Sequence, residues 1–166
     1  MGKRSAGRTG RQRGWGRFKI EAAIMASIIL VPVILVLISL AVPKFTHAKL
    51  YMRETGAIQA IKTIQTAENQ YQSQCGQYAA SLTELGPPAS GEPSASAAGL
   101  IGNDLANGEK AGYKFTVAPS AGGYTINATP VTYGISGSRS FYSDQTMAIL
   151  ENFGPEPATP QSKELR

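Results

Sequence analysis

Cysteine, histidine and tryptophan each occur once in the 166 residues, as Cys75, His47 and Trp15. A single thiol cannot close an intramolecular disulfide, so there is no disulfide framework, and Cys75 reads as a small, half-buried apolar side chain. No cluster has zinc-ligand spacing. Charge is scarce at 16%, and it is unevenly placed. Residues 1–19 contain no acid, but they hold Lys3, Arg4, Arg8, Arg11, Arg13, Arg17 and Lys19. Removing those seven positive charges from the net +5 leaves −2 for residues 20–166. The basic character belongs to the leader, and the rest is mildly acidic. Arg- and Gly-rich arms carrying a tryptophan can bind RNA. Seven positive charges beside a long apolar run are better explained by topology and contact with anionic lipid, so no nucleic-acid partner is expected.

That run is residues 22–42, AAIMASIILVPVILVLISLAV, without a charge. As a helix its 21 residues span about 31 Å, matching a hydrocarbon core of about 30 Å. Thirteen are Ile, Leu or Val, which together favour insertion by about 5 kcal/mol. Ser27 and Ser39 can bond back to their own helix. Pro32 removes one backbone bond, which membrane helices tolerate. The run exceeds the apolar core of a secretory signal peptide, and Thr46-His47-Ala48 is a weak cleavage site. The excess of positive charge before the run keeps the N-terminus in the cytoplasm and puts the head outside.

Helical periodicity continues past the run. Phe45, Ala48, Met52, Ile58, Ile61, Ile64 and Tyr71 recur mostly three or four apart, with no proline between Lys44 and Gln74. The pattern predicts one helix over about 20–74, half in lipid and half in water, bent at Pro43 where it leaves the membrane. Cys75-Gly76 ends it. Residues 76–112 are rich in Gly, Pro, Ser and Ala and read as a loop with short helical pieces near 81–85 and 97–107. The period then becomes two, in Tyr113–Val117 and Tyr124–Ala128 around a Gly122-Gly123 turn. Strands at 140–142 and 147–150 follow, joined by a turn at 143–146. The expected fold is α+β: the amphipathic half of the long N-terminal helix packed on an antiparallel meander of three or four strands. The segments are a basic cytoplasmic leader (1–19), a transmembrane helix (20–43), its amphipathic continuation (44–74), a head (75–150) with loop 76–112 and meander 113–150, and a flexible tail (151–166).

This order of elements resembles the type IV pilin and type II secretion pseudopilin family. LAVPKF at 40–45 looks like that family's exit from the membrane. AIKTIQTAENQYQSQCGQYAASLTELGPP at 60–88 looks like its helix end and loop start, and GYKFTV, GGYTINATPV and RSFYSDQT resemble its strands. The resemblance covers most of residues 16–150. It implies processing after Gly16, with Arg17 as first mature residue and Glu21 as the assembly glutamate that pairs with a neighbour's amine. It also implies a kink at Pro43. Arg17 stands where the family usually has phenylalanine, and Lys19 adds a charge in an apolar stretch. The other reading of Glu21 is an interfacial residue facing Arg17 one turn away.

The resemblance implies a membrane-anchored subunit that assembles through its apolar helix into a pilus or pseudopilus filament. Its partners would be other pilin-like subunits, a prepilin peptidase, the inner-membrane assembly platform and lipid. Its location would be the bacterial inner membrane with the head periplasmic, and after assembly an extracellular filament. The alternative is an uncleaved anchored protein whose head binds a partner outside the membrane. An enzyme is not expected, because His47 and Cys75 lie about 42 Å apart on a continuous helix and no convergent set of groups is present. No cofactor or metal is expected; the segment 102–108 is too poor in acids for a calcium loop.

Overall fold

The computed structural model describes the backbone of residues 13–165 and the side chains of residues 30–36 and 47–165. The longest element is α1, Arg13–Cys75. The chain divides into two compact units at the Thr46/His47 boundary, and each is described by itself.

In the first unit the described side chains are those of residues 30–36. Leu30, Val31, Val33, Ile34, Leu35 and Val36 are all exposed, at 44–61% of their full surface. Among the described residues no helix is long and apolar enough to cross a membrane. The expected span at 20–43 falls largely outside those residues.

In the second unit a 29-residue stretch of helix (47–75) packs against a six-strand antiparallel sheet. Its buried positions, Glu54, Ala57, Ala60, Ile61, Ile64, Gln65, Ala67, Glu68 and Tyr71, follow the three-and-four spacing of one helical face. Alanines at three of these positions bring the sheet close. Helix α1 stops at Gly76, whose φ of 74° lets its amide donate to Gln72 O at 2.8 Å. Met52 and Ala48, expected on the apolar stripe, are exposed, because the covered face begins only at Glu54 and Ala57. Cys75 is also exposed rather than half-buried, as are Gln72, Ser73 and Gln74 before it.

Two single-turn helices follow in the loop region, α2 (Leu82–Leu85) and α3 (Asn103–Ala106), within the stretches where short helices are expected. They bury Leu82, Leu85 and Leu105 under the helix–sheet core. The strands are β1 (Glu109–Lys110), β2 (Tyr113–Ser120), β3 (Gly123–Pro130), β4 (Arg139–Asp144), β5 (Ile149–Phe153) and β6 (Lys163–Glu164), in spatial order of sequence. The four long ones are those anticipated. The two flanking strands exceed the expected three or four, and two residues are too few to show alternation. The segment read as a flexible tail contributes Glu151–Phe153 to β5. It then returns to pair Glu164 with Leu150 and Lys163 with Glu151.

Tyr113, Phe115, Tyr124, Ile126, Ala128, Phe141 and Ile149 make the sheet side of the core. The turn joining β2 to β3 has Gly122 at φ 82°, and Gly123 already belongs to β3. The β4–β5 turn sits one residue later than expected, closed by Met147 N donating to Asp144 O at 3.0 Å. The Asp144 carboxylate accepts from the Thr146 amide and hydroxyl at 2.9 and 2.6 Å, which fixes the register there.

Candidate functional site

The second unit concentrates its buried charge where α1 meets β4 and β5. Arg139, first residue of β4, donates from Nε and Nη2 to Glu54 Oε2 at 3.0 and 2.8 Å, and from Nη1 to Glu151 Oε2 at 2.7 Å. The other Glu54 oxygen, Oε1, accepts from the Ser138 amide and hydroxyl at 2.9 and 2.7 Å. One guanidinium thus joins a helix carboxylate to a strand carboxylate. The Arg139 carbon also lies 5.6 Å from the centre of the Phe141 ring and 5.5 Å from that of Phe153. Burial pushes the Glu54 carboxyl up, but the hydrogen bonds from Ser138 and Arg139 outweigh it and hold the group below its usual range. Burial pushes Arg139 down, and its bonds to Glu54 and Glu151 more than reverse that, leaving it raised.

The clamp positions the β3–β4 loop, residues 131–138. Arg53 Nη1 donates to Ile135 O at 2.8 Å, and Ser136 Oγ donates to Thr132 O at 3.0 Å while accepting from the Thr132 amide at 2.8 Å. The loop backbone is therefore held, yet Val131, Tyr133 and Ile135 point their side chains to the exterior. Tyr51 and Met52 on α1 are exposed in the same way.

A second buried group lies farther along α1. Glu68 is 0% exposed and receives one hydrogen bond, from the Ala79 amide to Oε2 at 2.9 Å. Its Oε1 has no partner, and neither does the buried Tyr124 hydroxyl. Burial, partly countered by the Ala79 amide and reinforced by the negative Glu84, raises the Glu68 carboxyl to about 7. Burial raises Tyr124 to about 12, and the Glu68 charge adds to this. The Tyr78 ring meets Tyr124 edge-on at 5.0 Å.

Gly16, Arg17, Glu21 and Pro43, the residues singled out from the sequence, lie outside those whose side chains are described. His47 and Cys75 both sit exposed on α1, and the fold does not bring them together. In segment 102–108 Asp104 pairs with Lys110 at 2.9 Å. Among the described residues there is no group of three or more His, Cys, Asp or Glu able to hold a metal. Tyr71, expected on the apolar stripe of the helix, is buried and donates to Ala95 O at 2.6 Å, tying down the loop after α2.

The Glu54–Arg139–Glu151 clamp and the isolated Glu68 were not legible as a set. Glu54 reads in the sequence only as an acid partly offsetting nearby positive charge. One signal was available: an acid on the inner face of a helical stripe implies either a partner or a shifted titration. No protein family matches the chain, and no curated protein or solved structure matches it either.

Proposed function

We propose that this chain is a pilin-like subunit, anchored through its apolar N-terminal helix, that assembles through the same helix into a filament of the type IV pilus or type II secretion pseudopilus kind. The observation that supports this most is the exposed stretch 30–36. Six of its seven residues are large and apolar, and together they take α1 through about two turns. Such a stretch presents apolar surface in every direction, so lipid or other helices must cover it. The layout of the second unit, a helix laid on an antiparallel meander, agrees with the family suggested by the motif order. In this reading the head performs no chemistry, and a prepilin peptidase and an inner-membrane platform act on the subunit. Glu21 would neutralise a neighbour's terminal amine in an environment where an isolated carboxylate is costly.

A second reading, a permanently anchored head that binds a partner outside the membrane, draws on Arg17 in the place of the usual first mature residue. N-terminal sequencing and intact mass of protein from native membranes and from a sheared surface fraction separate the two. A mature chain beginning at Arg17 in the sheared fraction supports assembly. A full chain beginning MGKR, found only in membranes, sinks the filament reading and leaves the anchored one.

A further inference from the structure

Among the described residues the second unit exposes seven large apolar side chains, and five of them gather at one end. Tyr51 and Met52 lie within the first two turns after His47. Val131, Tyr133 and Ile135 alternate along the β3–β4 loop, which Arg53 binds to that same part of the helix through Ile135 O. The charge presented there is positive: Lys49 is exposed and Arg53 half-buried, whereas the nearby Glu54 is buried under Arg139. This combination of tyrosines, aliphatic side chains and cations suits the headgroup zone of a membrane.

Chain length determines which surface lies within reach. The apolar run ends at Val42, five residues before His47. At about 3.6 Å per residue, no conformation of that linker puts His47 more than about 18 Å from the end of the run. Tyr51 follows after about 6 Å of helix. We propose that this end of the second unit rests on an anionic lipid surface, with Tyr133 and Ile135 entering the headgroup zone and Lys49 and Arg53 facing lipid phosphates. The inference rests on the membrane-anchored reading of residues 22–42, and it adds a second lipid contact made by the head itself.

The test uses the full chain in vesicles of phosphatidylethanolamine and phosphatidylglycerol containing a nitroxide lipid labelled at headgroup level, which reads Ile135 and Cys75, or, in a second set, one labelled at the end of its acyl chain, which reads the mid-span Val33. An environment-sensitive fluorophore is attached at Ile135→Cys or at Val33→Cys, each combined with Cys75→Ser, and separately at native Cys75. Arg53 holds Ile135 by its backbone oxygen, so the substitution leaves that tether in place. Cys75 lies about 42 Å along the helix from His47 and serves as the distant control. The expected result is quenching at Ile135 several-fold stronger than at Cys75, together with quenching at Val33. Quenching at Val33 with none at Ile135 overturns the head contact and leaves the anchor intact. No quenching at Val33 overturns the anchor and the inference with it. Protection of Ile135 that rises with protein density, without lipid quenching, assigns the patch to a second copy of the chain and also overturns the proposal.

Discussion

Arg139 and Glu54 are 85 residues apart in sequence, yet two guanidinium nitrogens of one donate to a single carboxylate oxygen of the other at 2.8 and 3.0 Å. That contact joins the helix to the middle of the sheet. It also sets the end of the loop that carries Tyr133 and Ile135, because Ser138 binds the remaining Glu54 oxygen.

Removing Arg139 leaves two buried carboxylates without their cation. Arg139→Ala is expected to cost about 3–5 kcal/mol, the usual penalty for breaking a buried pair by deleting one partner. Denaturant unfolding followed by the near-ultraviolet tyrosine signal measures it. A loss below about 1 kcal/mol would mean the cluster behaves as a surface ion pair.

Glu54 and Glu68 respond to pH in opposite directions. Glu54 is held below its ordinary value of 4.5, so its contribution is present above that pH and lost as pH falls through the lowered value. Glu68 is raised from 4.5 to about 7, so the folded state holds a proton that the unfolded chain has released. Its contribution is complete below pH 4.5 and disappears as pH rises through about 7. Thermal stability of the head is expected to decline between those values, and Glu68→Gln to flatten the decline. An unchanged slope in the variant would assign the titration to another group.

Gly137 is buried against Tyr113, and a Cβ there would overlap the tyrosine ring and hydroxyl. That hydroxyl donates to Arg139 O at 2.8 Å, so the ring cannot swing aside without losing the bond. Gly137→Ala is expected to destabilise the head by about 1–3 kcal/mol, as overpacking does. Tyr113→Phe in the same background should recover only part of the loss, because the ring remains.

A charge in the exposed apolar stretch tests what covers it. Leu35→Arg is expected to cost about 2.5–3.5 kcal/mol of membrane insertion if residue 35 sits at bilayer depth. Partition of the full chain between membrane and soluble fractions after an alkaline wash reads this directly. Equal retention of both proteins would argue against lipid around residue 35.

The sequence alone determined the order of elements and their kinds. A 3.6-residue period locates the helix over Ile58, Ile61, Ile64 and Tyr71, a two-residue period locates β2 and β3, a turn signal at 143–146 places β4 and β5 about it, and Gly76 and Gly122 mark limits, because these signals are local in the chain. The apolar run and the one-sided charge around it are equally local. Tertiary structure alone decided how far along the helix the covered face extends, leaving Met52 exposed and Glu68 enclosed, and how the segment after β5 returned to pair as β6. It also decided that Glu54 would meet Arg139 and Glu151. Such pairings depend on strand register and on the distance between helix and sheet. They are set by contacts between residues far apart in sequence, for which no local pattern exists.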